Sequence, residues 1–261
     1  MKEYLNALKW EVICDLKEYA QYRVGLLMDF IVFTGTFVAI YFFGVSNGFS
    51  TFYDIEESAG NMLVLIGYIF WQNSSSALGY CTGTISNETS QGIFEVRLQS
   101  RYPLEGVLFC RLVISCLLHV STYIGIIVFC EITIGFDVHD ILIIFMSIFV
   151  SFPALIGMYG IGLIFGGIGI CEKNVGSLIF IVQTILLFIT NTLSPSKSKF
   201  VYLIPFSSGI DIIRNFYLGK ESSICLILNY ALVNIFWFVF GCLCFRKALK
   251  HEKKYGSFDN Y

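Results

Sequence analysis

The chain has 261 residues, 56% of them hydrophobic and only 14% charged, with a formal net charge of −2. The charges leave six long gaps, at 30–53, 58–87, 112–130, 141–171, 174–196 and 222–245, each close to or above the roughly 20 apolar residues that cross a bilayer. A soluble domain, a disordered chain and a transmembrane barrel of strands about 9–11 residues long are therefore excluded, as is a nucleic-acid partner, since no basic face is present to meet phosphates.

The expected fold is all-α. It is a polytopic membrane protein with six transmembrane helices, an N-terminal amphipathic interface helix, and short re-entrant outer helices between spans five and six. Residues 1–23 form the interface helix, 24–246 the membrane domain and 247–261 a tail. Leu5, Leu8, Val12, Leu16 and Tyr19 share one helical face, and Trp10 and Tyr22 suit headgroup level. Eight charges between Lys2 and Arg23 leave no apolar core for a secretory signal, so the first span is expected to act as its own insertion signal. The gaps at 58–87 and 141–171 are too long for one span and too short for two. The first is expected to run as a long helix toward Gly92, and the second to break or tilt near Pro153.

Between spans two and three lies the segment 88–105. Gly92 can end the preceding helix and Pro103 can start the next. A short helix between them carries both charge signs, with Glu88, Phe94, Glu95, Arg97, Leu98 and Arg101 as its candidate contacts. Glu131 is expected at a membrane interface. In the fourth gap, Gly162 and Gly166 make a small-xxx-small pair that allows close backbone approach. Packing between spans of one chain is preferred there over packing between chains. Gln72, Asn73, the serines 74–76, Gln183, Asn229 and Asn234 are polar residues inside apolar runs, which commonly bond between helices. In the outer segment 200–218, Pro205 and Phe206 precede Asp211 and Arg214. Ile210, Ile213, Phe216 and Tyr217 recur at helical spacing. One or two short helices are expected to dip into the outer leaflet, with protein or water sheltering their polar groups.

With the N-terminus inside, 13 of the 17 Lys and Arg residues fall on the inner side, leaving Lys197, Lys199, Arg214 and Lys220 outside. The positive-inside rule thus predicts two cytoplasmic termini. The nine cysteines hold no C-x-x-C pair, and His119, His139 and His251 lie far apart in sequence. No catalytic, cofactor or metal site is expected, and no phosphate-binding loop of the G-x-x-x-x-G-K type occurs.

In order and depth these segments resemble the permease subunit of a type-2 ABC transporter. Gly92, Phe94, Glu95, Leu98 and Pro103 match in kind that family's coupling segment, G-[TS]-[LF]-E-x-L-L-x-[ST]-P, although Ile93 replaces a hydroxyl residue and the proline arrives late. Pro205, Phe206 and Arg214 resemble its outer N-P-[LF] motif and the following arginine, with Ile204 in place of the polar residue. The resemblance implies an exporter in the plasma membrane, bacterial in origin. It implies a second permease copy or a homologous permease, and a separate ABC ATPase subunit that binds the ATP. It also implies that Glu95, Arg97, Leu98 and Arg101 sit in a groove of that ATPase. A six-span interaction or immunity protein, an ATP-independent transporter and a membrane enzyme are the competing readings. The substrate is not readable.

Overall fold

The computed structural model describes residues 2–255 except 22, 101, 119, 134, 136, 172–174, 196 and 197. Among them the chain forms α1 (Lys2–Gln21), α2 (Arg23–Phe42), α3 (Ser46–Tyr53), α4 (Glu57–Ser90), α5 (Ile93–Leu98) and α6 (Leu104–Leu118). There follow α7 (Val120–Thr133), α8 (Val138–Cys171), α9 (Gly176–Ile189), a 3-10 turn (Lys199–Leu203), α10 (Ser207–Tyr217) and α11 (Ile224–Tyr255), and no strand.

Local chemistry marks the helix boundaries. Gly44 has a positive φ of 66° where α2 gives way to α3, and Asp54, at φ 55°, ends α3 in the left-handed region. Gly92, at φ 70°, separates α4 from α5. A side chain there would face open space, so the backbone angle alone calls for glycine. Pro103 lacks an N–H, and its carbonyl accepts the first amides of α6, from Gly106 and Val107.

Helix α4 is the centre of the molecule. It packs against α2, α3, α5, α6, α8, α9 and α10. Met62–Tyr68 are almost wholly buried along its first half, and the polar run Gln72–Ser75 is buried in its middle. A helix enclosed by other helices can carry such polar residues, because neighbours supply their partners. Asn73 donates to the Ser151 hydroxyl on α8 (2.7 Å) and accepts from the Tyr123 hydroxyl on α7 (2.6 Å). Gln183 of α9 donates to the Ser75 carbonyl (2.7 Å).

Helix α8 lies between α4 and α11 and presents two stripes of small residues. A Cβ on Gly162 would sit 2.8 Å from the Leu78 carbonyl, and one on Gly166 would sit 2.7 Å from the Cys81 sulfur, so this stripe faces α4. Gly160 instead meets the backbone of Trp237 and Phe238, and its own backbone meets Gly241, so the other stripe faces α11. Both stripes pack within the chain.

At Pro153 α8 continues as one helix, where the sequence predicts a break or tilt. The backbone is served by a side chain from α11. The Tyr230 hydroxyl donates to the Val150 carbonyl (2.6 Å) and accepts from the Ala154 amide (3.1 Å). It is thus inserted into the i→i−4 ladder beside the proline.

Two described helices are long and apolar enough to cross a membrane, Val138–Ile170 and Ile224–Lys254. A third span arises if Leu27–Phe42 and Ser46–Tyr53, bent by 55°, are taken together. The charge-free gaps predict six. In the gap at 58–87, α4 carries the polar run Gln72–Ser75 through its centre. The gap at 112–130 is shared by α6 and α7 on either side of residue 119, and α9 in the gap at 174–196 has 14 residues.

Candidate functional site

One end of the molecule gathers α1, α5, the start of α6 and the end of α11. Glu11 and Asp15 lie one turn apart on α1 and face the body of the protein. Arg97 of α5 donates from both terminal nitrogens to the two oxygens of Glu11 (2.9 and 3.2 Å). Its Nε is 2.9 Å from Glu88 at the end of α4. Arg111 of α6 joins the other oxygen of Glu88 (2.6 Å) and Asp15 (2.6 Å). Five charges from four helices thus alternate in sign. The cluster borders a cleft of about 470 Å³ between α1, α4 and α5.

This network fixes which side of α5 faces outward. Phe94 is buried in the core and Leu98 packs against it. Ile93, Glu95 and Val96 are exposed, Val96 at 69%. Four residues expected to meet a partner are therefore turned inward. Glu88 and Arg97 are held by ion pairs, and Phe94 and Leu98 by apolar packing. Glu95 and Pro103 lie on the surface, and Arg101 lies outside the described residues. Of the apolar stripe expected on α1, Leu8 and Val12 are half-buried. Leu16 is exposed, while Asp15 is buried and paired with Arg111.

At the opposite end, the 3-10 turn and α10 fold back between α4, α8 and α11. Pro205 and Phe206 are buried. The Pro205 carbonyl accepts from Asn234 (3.1 Å), and Asn229 donates to the Ser208 hydroxyl (2.9 Å). Arg214 is 1% exposed. Its guanidinium donates to the carbonyls of Leu63 (3.0 and 2.7 Å), Asn191 (2.6 Å) and Thr192 (3.3 Å), and lies 4.5 Å from the centre of the Phe49 ring. Asp211, one turn earlier, accepts instead from Asn191 Nδ2 (2.9 Å) and the Tyr202 hydroxyl (2.8 Å). The carbonyls of Asn191 and Thr192 follow directly on α9, so the cation sits near the negative end of that helix. Burial lowers the Arg214 pKa to about 10, with Asp211 and Tyr53 opposing the shift. The group remains charged at neutral pH.

Sequence reasoning marked Arg214 but missed its acceptors and missed Glu11, Asp15 and Arg111. The available signal was the i, i+4 spacing of Glu11 and Asp15 and the position of Arg111 at the edge of an apolar run. No group of three or more His, Cys, Asp or Glu residues able to hold a metal ion occurs among the described residues. No family model matches the chain, and no curated protein matches it.

Proposed function

We propose that the chain is the membrane-spanning permease subunit of a type-2 ABC transporter, working as an exporter with its ATPase on a separate polypeptide. The observation that carries this reading is α5. It is a six-residue helix bounded by Gly92 and Pro103, braced on α1 and α4 by ion pairs, yet exposing Ile93, Glu95 and Val96. Bracing of this kind gives an exposed apolar and acidic tip a fixed position, which is what a surface that transmits force requires. A flexible loop would absorb a push without passing it on.

In this proposal six spans cross the plasma membrane. They are α2 with α3, α4, α6 with α7, α8, α9 and α11, and both termini face the cytoplasm in keeping with the lysine and arginine distribution. Two permeases face each other, and two ATPases close on ATP beneath them. Each ATPase presses on Ile93, Glu95 and Val96. Phe94 passes the displacement into the core, while Arg97 and Glu88 pass it to α4. The chain itself holds no nucleotide.

Purification in mild detergent tests the proposal. Wild-type protein should bring down a P-loop ATPase, whose single domain would be roughly 25–35 kDa. The variant Val96→Asp combined with Glu95→Arg should lose that partner while melting like wild type, because both side chains are exposed. Recovery of the chain with no ATPase, or undiminished recovery with the double variant, would overturn the assignment.

A further inference from the structure

Near the end of the molecule that carries α5, helices α6 and α11 diverge and leave a groove of about 320 Å³. Its wall is apolar, made by Phe109 of α6 and by Phe238, Val239 and Leu243 of α11. The floor is firm. Phe109 packs against Tyr159 and Phe238, with ring centroids 5.3 and 6.3 Å apart, and the Tyr159 hydroxyl donates to the Glu105 carbonyl (2.6 Å). The outer wall is open, with Val239 50% and Leu243 59% exposed. At the mouth Arg246 Nε meets Glu105 (2.5 Å). That bond leaves the four N–H donors on the two terminal guanidinium nitrogens uncommitted to Glu105, and the Arg246 side chain is 63% exposed.

The sequence of α11 explains how an apolar wall meets a basic mouth. Val239, Leu243, Arg246 and Lys250 follow one another at spacings of four, three and four residues, so they form a single stripe. Lys253 and Lys254 extend it, and all of these basic residues are exposed, as is Lys247. The acids nearby are already engaged, Glu105 with Arg246 and Glu252 in the buried interior. The exposed charge along this stripe is therefore positive.

We infer that this groove binds an anionic phospholipid. One acyl chain lies along Phe109, Phe238, Val239 and Leu243, and the headgroup phosphate meets Arg246 and Lys250. The volume suits a length of one acyl chain and is too small for a whole lipid. Basic residues clustered just beyond a membrane helix attract anionic lipid by about 1 kcal/mol each. The groove adds what a diffuse attraction lacks, a fixed seat for one molecule. The inference rests on α11 lying in a bilayer and is independent of any ATPase partner.

The test uses the full chain in nanodiscs of equal phosphatidylglycerol and phosphatidylcholine, followed by detergent extraction and native mass spectrometry. Wild type should retain one phosphatidylglycerol per chain, favoured over phosphatidylcholine by about thirtyfold. Arg246→Gln with Lys250→Gln should bring the two lipids to parity. Val239→Trp, a change on the open wall that leaves every tail charge in place, should abolish retention of the bound lipid. Equal retention of the two lipids by wild type would overturn the inference. So would full retention by Val239→Trp, which would reduce the effect to diffuse attraction by the tail. Failure of the chain to enter nanodiscs would instead overturn the membrane placement of α11.

Discussion

Arg214 is a cation held without a direct carboxylate partner among the described residues, and its seat depends on a residue with no side chain. A Cβ on Gly67 would sit 2.6 Å from the guanidinium and 2.9 Å from the Thr192 carbonyl. Arg214→Met should destabilise the protein by about 3 kcal/mol, because acceptors arranged for a fork of N–H donors lose them. Gly67→Ala should produce a similar loss, and the double variant should fall short of the sum, since both changes act on one contact. Thermal melts in detergent check this, and additive losses would sink it. Nearby, burial and then the Asp211 carboxylate push the Tyr202 phenol up to about 12 from its ordinary 10.0. A raised pKa in the folded state favours folding fully below pH 10.0, and the contribution fades as pH rises toward 12. Arg214, lowered to about 10, acts in the opposite sense over the same range, because the unfolded chain keeps its proton longer. Comparing Tyr202→Phe with wild type between pH 9 and 12 isolates the phenol, and the variant should lose less stability on the alkaline side. The sequence made Arg214 visible as a charge in an apolar segment. It did not make visible that backbone carbonyls, identical at every residue, would be its partners.

Among the elements, α5 and α8 are each held by a contact distant in sequence. Arg97 and Arg111 find Glu11 and Asp15 from 86 and 96 residues away. The turns that bound α5 are written locally in Gly92 and Pro103, so its place between two long helices was legible. Its inward face was not, because spacing within α5 carries no information about α1. Glu88→Gln should weaken the grip of α5 and α6 on α4, and hydrogen exchange over 92–100 should rise while the rest of α4 stays protected. Unchanged exchange would show that Phe94 alone anchors the helix. In α8 the sequence predicts a defect at Pro153, and the cure comes from Tyr230. Tyr230→Phe removes a hydroxyl that serves one carbonyl and one amide together. It should cost about 1–3 kcal/mol, read as a lower midpoint in detergent melts, and a neutral outcome would mean that the helix closes its own ladder.

For the molecule as a whole, α4, α8 and α11 form a spine, with α8 in contact with both of the others along much of its length. In lipid, helices gain little from hydrophobic exclusion and associate through close packing and hydrogen bonds, so the two glycine stripes of α8 set the strength of the spine. Gly160→Leu should force α8 away from α11 and destabilise the protein by about 1–3 kcal/mol. Gly176→Leu, where a side chain would meet nothing, should be neutral by the same melt. Equal effects would mean that the stripes are incidental. The charge-free gaps made the all-helical class and its apolar segments legible. They did not reveal that α4 is central, since a run such as Gln72–Ser75 looks alike on a lining helix and on an enclosed one, and only the surrounding helices distinguish them.

The Arg214 seat also sets an order in time. Leu63, Gly67, Asn191 and Thr192 all precede residue 214, so every acceptor is made before the growing chain delivers its cation. Glu11 and Asp15 stand in the reverse relation, made first and left unmatched until Arg97 and Arg111 emerge from the ribosome. One end of the molecule therefore holds two acids made ahead of their partners, and the other receives an arginine whose acceptors are made ahead of it.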